Sequence, residues 1–135
     1  MVGVVIVTHG KFADGLLDAM HLIAGPQEKI DQISLKEGDS VELLKSRILE
    51  SVKNLDDGDG VLVFVDMFGA SPCNAAAALF KEHVEVVTGV NLPMILEILN
   101  LRGSVSLKEL AAIAMDAGKE SIKNLTEMVR DSLKK

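Results

Sequence analysis

The hydrophobic pattern changes period several times along the chain. Residues 2–8, VGVVIVT, form a β-branched run of the kind a strand buried on both faces requires. Ala13, Leu16, Met20 and Ile23 then recur at helical spacing until Gly25-Pro26 stops them. Residues 30–35 alternate as a short strand. Asp39 and Glu42 stand at capping-box spacing around the start of an amphipathic helix carrying Val41, Leu44, Ile48 and Leu55. The polar turn NLDDGDG (54–60) leads into VLVFVD (61–66), a second buried strand that ends on Asp66. Ser71-Pro72 reads as N-cap and first residue of a helix running through the alanines to Phe80. A fourth strand follows at 84–88. Pro93 opens a further helix that Gly103 ends, and Ser106 with Glu109 caps another that ends near Gly118. Ile122, Leu125, Val129 and Leu133 continue the helical spacing to the end of the chain.

Strands alternating with helices require a parallel sheet with right-handed crossovers. The expected fold is therefore α/β: a four-stranded, mainly parallel sheet of order 2-1-3-4, with helices on both faces, in one domain spanning 1–135. Such sheets bind ligands at the carboxyl ends of their strands, where the strand order reverses. In that order the first and third strands are neighbours, so His9 and Asp66 would meet across one crevice.

Composition narrows the partners. Hydrophobic residues make up 48% of the 135 positions, yet Trp and Tyr are absent and only four Phe occur, so the core is aliphatic. A formal net charge of −6 without a Lys/Arg cluster disfavours nucleic acid and favours a basic protein partner. The single cysteine, Cys73, excludes an internal disulfide and fits a reducing compartment. The first ten residues lack the basic flank of a signal peptide, and no run approaches the roughly 20 apolar residues of a membrane span. A cytoplasmic protein is expected.

The pair His9 and Asp66 carries the candidate chemistry. A carboxylate accepting from Nδ1–H fixes the imidazole tautomer and leaves Nε2 as a nucleophile. It also stabilises the positive ring formed when Nε2 takes an electrophile. Gly69 in DMFGASPCN permits unusual backbone angles. The helix opening at Ser71-Pro72 has N–H groups without internal partners, which suit an anion. Gly10 would let a bulky group approach the backbone. Together these parts read as phosphoryl transfer through a phosphohistidine. The same residues admit a structural reading, with His9 plugging a strand end and Asp66 capping a helix. His21 and His83 read as bystanders, Cys73 as small buried packing and the six methionines as core filler, except Met67 beside the proposed site.

The motifs VIVTHG, VDMFGASPCNAAA and VTGVNLPMILE resemble the mannose-class EIIA domains (mannose/fructose/sorbose family) of the bacterial sugar phosphotransferase system (PTS). The resemblance covers essentially the whole chain. It implies a phosphocarrier that accepts a phosphoryl group from the histidine-containing protein HPr and passes it to EIIB, without metal or cofactor. On that resemblance His9 is the phosphorylated residue and Asp66 its orienting carboxylate. Gly10, Gly69, Ala70 and Ser71 hold the phosphoryl oxygens, and Thr8, Met67 and Phe68 line the site. A homodimer is also implied, with membrane contact only indirect, through EIIC and EIID. The family usually has Gly-Gly-Ser-Pro where this chain has Gly69-Ala70-Ser71-Pro72. It often exchanges a C-terminal antiparallel strand between protomers, whereas SIKNLTEMVRDSLKK has helical spacing.

Other classes fit less well. A receiver domain needs an acidic pair after the first strand and a lysine after a fifth. No G-x-G-x-x-G or G-x-S-x-G is present to support a dinucleotide-binding module or a serine hydrolase. The alternative that shares the chemistry is a regulatory phosphorelay, or an EIIA-like protein of dihydroxyacetone phosphorylation, with no sugar transported.

Overall fold

The computed structural model describes residues 1–79 and 82–134. Four strands, β1 (Gly3–His9), β2 (Ile30–Leu35), β3 (Val61–Val65) and β4 (Val84–Val87), pair in parallel in the order β2-β1-β3-β4. The helices among the described residues are α1 (Phe12–Ala24), α2 (Val41–Leu55), α3 (Ser71–Ala77), α4 (Leu92–Ile98), α5 (Leu107–Glu120) and α6 (Leu125–Leu133).

The continuous apolar runs of β1 and β3 follow from helices covering both faces. Val4 and Ile6 join Leu62 and Phe64 in the core beneath α1, α4 and α5. Val5 and Val7 join Val61, Val63 and Val65 beneath α2 and α3. Successive side chains thus enter opposite cores, and neither strand has a polar face to alternate with. Each buried valine or isoleucine contributes about 1.5–3 kcal/mol relative to exposure. These central strands are the rigid frame on which the two candidate residues stand.

Several boundaries differ from the expectations, each for a local reason. β1 extends through His9, which pairs with Leu35 of β2. Ser40, not Asp39, caps α2: its hydroxyl accepts from the Leu43 N–H at 3.1 Å. Asp39 instead accepts from the Lys36 N–H within the preceding turn. Ala70, not Ser71, occupies the N-cap of α3, which makes Ser71 and Pro72 its first two helical residues. That helix ends at Ala77, short of the expected end at Phe80, which lies outside the described residues. α4 is capped by Asn91 and ends at Ile98, before Gly103. Gly118 lies inside α5 rather than ending it, with Met94 close by. Ile23 is exposed although it shares the helical spacing of Ala13, Leu16 and Met20.

The C-terminal segment is a helix, not an added antiparallel strand. Asn124 caps α6 by accepting from the Glu127 N–H, and none of its residues is buried. Among the described residues no helix is long and apolar enough to cross a membrane.

Candidate functional site

β1 and β3 are adjacent, so the residues at their carboxyl ends meet. His9 is the last residue of β1, and Asp66 follows the last residue of β3. One carboxylate oxygen of Asp66, Oδ2, accepts from the His9 backbone N–H at 2.9 Å and lies 2.7 Å from His9 Nδ1. The other, Oδ1, accepts from the Met67 backbone N–H at 3.1 Å. Two strands and the following turn therefore hold this carboxylate in a single orientation.

Electrostatics keep that carboxyl ionised. Burial pushes its pKa up. The hydrogen bond from the His9 backbone, the ring contact and the charge interaction with His9 outweigh burial and hold it below the ordinary value of 3.8. An ionised carboxylate only accepts, so Nδ1 carries the hydrogen in this pair and the neutral ring presents a lone pair at Nε2. The Asp66 side chain is only 12% exposed while the His9 side chain is 47% exposed, so the ring is backed by protein and open in front.

The backbone around the pair is built to turn at once. Gly10 adopts φ +53°, donates its N–H to Leu35 O at 2.9 Å, and leads into α1 two residues later. A side chain at Gly10 would meet no protein atom within 4 Å, so conformation rather than crowding selects glycine there. Thr8, expected to line the site, is instead fully buried behind it. Its Oγ1 accepts from the Ala13 N–H at 2.8 Å and so caps α1, a task that Lys11 at the N-cap does not perform. Gly10 likewise offers no free N–H to a phosphoryl group.

On the β3 side, Gly69 takes φ +82° in the turn before α3, and the Ala70 carbonyl accepts from the Asn74 N–H. Pro72 has no N–H, so the first turn leaves those of Ser71 and Cys73 without intrahelical partners. Cys73 is buried. Met67 and Phe68 are 55% and 82% exposed. Phe12, which sequence reasoning passed over, is 48% exposed at the start of α1. Its signal was available: it is a scarce aromatic three residues after His9.

The site is a surface rather than a pocket. A polar cleft of about 490 Å³ runs along the free edge of β2, between Asp14 and the α2 residues Arg47, Glu50 and Ser51. An apolar groove of about 370 Å³ lies between β4 and α5, lined by Val86, Met94, Met115 and Ile122. Neither includes His9 or Asp66, so cavity size does not mark the candidate residues here.

The fold and the paired side chains define an α/β protein with a half-exposed imidazole, backed by a carboxylate, at a strand end. The model of the EIIA-man family, described as the PTS system fructose IIA component, matches residues 3–115, and the chain belongs to that family. It is 39% identical over 127 residues to the PTS mannose-specific EIIAB component of Escherichia coli K12, covering 92% of this chain but 39% of that protein. It therefore spans about two fifths of that relative's length. It is 33% identical over 112 residues to the PTS fructose-specific EIIA component of Bacillus subtilis, covering 82% of this chain and 77% of that one. The crystal structure of a phosphotransferase system component EIIA from Streptococcus agalactiae superposes with a TM-score of 0.86 at 29% identity, covering 94% of this chain and 99% of the other.

Proposed function

We propose that residues 1–135 act as one EIIA domain that carries a phosphoryl group on His9 Nε2, between HPr and an EIIB protein, in sugar uptake. The observation that supports this reading is the 2.7 Å contact between His9 Nδ1 and Asp66 Oδ2, on an imidazole side chain that is 47% exposed.

In the forward step the Nε2 lone pair attacks phosphorus in line with the phosphorus–nitrogen bond of the donor phosphohistidine. That bond breaks, and the donor ring leaves with its electron pair as neutral imidazole, keeping its other N–H. His9 keeps Nδ1–H and becomes a phosphorylated imidazolium, whose charge Asp66 balances. No net proton moves. The reverse geometry serves transfer to EIIB. Positioning of the ring by β1 and a fixed counter-charge supply the protein's share of the catalysis. The N–H groups opening α3, with Ser71 and the Gly69-Ala70 turn, hold the phosphoryl oxygens. The protein acts in the cytoplasm and reaches the membrane only through EIIC and EIID.

The same reading includes a homodimer. α6 has nine residues, none buried, and leaves Leu125, Met128, Val129 and Leu133 exposed together with Ile122. A helix this short is marginal in water by itself. The open groove between β4 and α5, which Ile122 already lines, suits the α6 of a second copy, each protomer filling the other's groove.

Incubation with enzyme I, HPr and labelled phosphoenolpyruvate tests the carrier reading. The label should enter wild-type protein, be absent from His9→Ala, and show phosphorus–nitrogen coupling to Nε2 by NMR. Labelled His9→Ala, or phosphate on Nδ1, overturns it.

A further inference from the structure

We infer that Lys11 is a further catalytic residue of the proposed transfer, and that its ammonium pairs with the phosphoryl oxygens on His9 Nε2. The inference rests on the carrier reading and supplies a counter-charge that the reading leaves unassigned.

Lys11 follows His9 by two residues, so their Cα atoms lie within about 7 Å. Gly10, at φ +53°, turns the chain between them, and Lys11 is the N-cap residue of α1. It is exposed, and among the described residues no ion pair joins it to a carboxylate. The fold gives no reason for a lysine at this position. Its side chain makes no capping hydrogen bond; Thr8 Oγ1 supplies the cap from the preceding strand, by accepting from the Ala13 N–H. A cation at the amino end of a helix opposes the helix dipole, whereas an acidic or capping side chain would be stabilising there. Asp14, in the first turn, obeys that preference and Lys11 breaks it. A residue that breaks a local rule without a structural gain marks a functional position.

The chemistry supplies the gain. Before transfer the ring is neutral and Asp66 is ionised, so the pair presents a negative charge to an incoming phosphoryl group. After transfer Asp66 balances the imidazolium, and the dianionic phosphoryl group has only the N–H dipoles opening α3 to face. Those dipoles come from the β3 side, and Lys11 comes from the β1 side. It is also the nearest cationic side chain to His9 along the sequence: the next, Lys29, is tied to Asp57 at the start of the strands. A compact ammonium on a flexible four-carbon stem meets a phosphoryl oxygen as a point charge and follows it through the transfer. In a loose transition state the charge spreads over three equatorial oxygens, where a nearby cation stabilises it. Lys11 stays protonated throughout, so the proton balance of the step is unchanged.

Lys11→Met keeps the stem and removes the charge, Lys11→Arg restores it, and Lys53→Met removes one charge in the last turn of α2. Each is phosphorylated by phospho-HPr and by phosphoramidate, a donor too small to touch the protein surface beyond the site. Lys11→Met should react about five- to twentyfold more slowly with both donors, while Lys11→Arg and Lys53→Met stay within about twofold of wild type. A slower reaction with HPr alone would overturn the assignment, because Lys11 would then act on the partner and not on the phosphoryl group. An equal loss in Lys53→Met would also overturn it, by making net charge the cause. On the phosphorylated protein, the pH midpoint of the phosphoryl oxygens by phosphorus NMR should rise by about 0.3–1 unit in Lys11→Met, since a cation favours the dianion. An unchanged midpoint would overturn contact with the oxygens. In urea Lys11→Met should be at least as stable as wild type, because the conflict with the helix dipole is gone; a loss of stability alongside the loss of rate would make Lys11 structural. Equal rates in wild type and Lys11→Met would overturn Lys11 alone, whereas wild-type protein inert to both donors would overturn the carrier reading itself.

Discussion

Replacing Asp66 by Asn separates charge from shape at the site. In the wild type Oδ2 takes both the backbone N–H and the ring Nδ1 of His9, while Oδ1 takes the Met67 N–H. An amide has one acceptor oxygen. Turned toward His9, that oxygen keeps two bonds and faces its NH₂ toward the Met67 N–H. Turned the other way, its NH₂ opposes the His9 backbone N–H and favours hydrogen on Nε2. Each orientation keeps two bonds, the second only by moving the ring hydrogen to Nε2 so that Nδ1 accepts from the NH₂; in the first, the variant retains the reactive tautomer and loses mainly the counter-charge. At 2.7 Å the ion pair formed on phosphorylation is worth about 1.5 kcal/mol in water and about 6 kcal/mol at an effective dielectric of 20. With the His9 side chain 47% exposed, screening places the cost near the lower end, at about 1.5–3 kcal/mol. Each 1.36 kcal/mol is a factor of ten in rate, so transfer should slow about tenfold to 150-fold. Quench-flow single turnovers from labelled phospho-HPr would measure it, with circular dichroism confirming the fold. A rate within twofold of wild type would refute a role for the charge. A loss beyond about ten-thousandfold would show instead that the tautomer had inverted.

Other consequences follow from the same contacts. Because the folded pKa of Asp66 is depressed, its stabilisation is complete above the unfolded value and is lost as pH falls through the folded one. The difference in urea stability between wild type and Asp66→Asn should therefore shrink from pH 5 to pH 3, and a difference that grows on acidification would contradict the sign. Thr8→Val keeps the volume but removes the acceptor for the Ala13 N–H, and should cost about 0.5–2 kcal/mol in urea unfolding; no loss would mean that water replaces it. Leu125→Asp with Val129→Asp on exposed α6 should give monomer mass by light scattering at micromolar concentration, with the folded core intact. Wild-type protein that is itself monomeric would dispose of the exchange.

The period of the apolar residues made the sheet readable, because both faces of β1 and β3 are covered and short β-branched runs between turn signals suit such strands. Helix starts were less readable. Ser40 and Asp39 are both good caps one residue apart, and only the geometry of the entering chain decides between them. Ala70 has no capping side chain at all, and α3 starts there because Ser71 and Pro72 already have helical angles. The end of the chain escaped for a different reason. Leu125, Val129 and Leu133 predicted a helix correctly, whereas Ile122 lies in the segment between α5 and α6, and spacing says only that one face is apolar. It does not name the molecule that covers it, and none of the α6 residues is buried.

The site shows the same division between local and assembled information. His9 and Asp66 are 57 residues apart, yet each sits at the end of a strand, and the order 2-1-3-4 alone makes those ends neighbours. The pairing was therefore legible before any coordinate. The resemblance put Thr8 in the lining, whereas a strand sends successive side chains to opposite faces. With His9 presented to solvent, Thr8 must point inward, where α1 begins and needs an acceptor. The alternation that hides Thr8 also explains why His9 can be both exposed and rigid. Its backbone is paired with β2 and clamped by Asp66, while its ring extends beyond the last rung of the sheet. On the proposed carrier reading, a side chain held that way can meet two large partners in turn without itself moving, and giving up a phosphoryl group as readily as accepting it needs that constancy more than it needs a pocket.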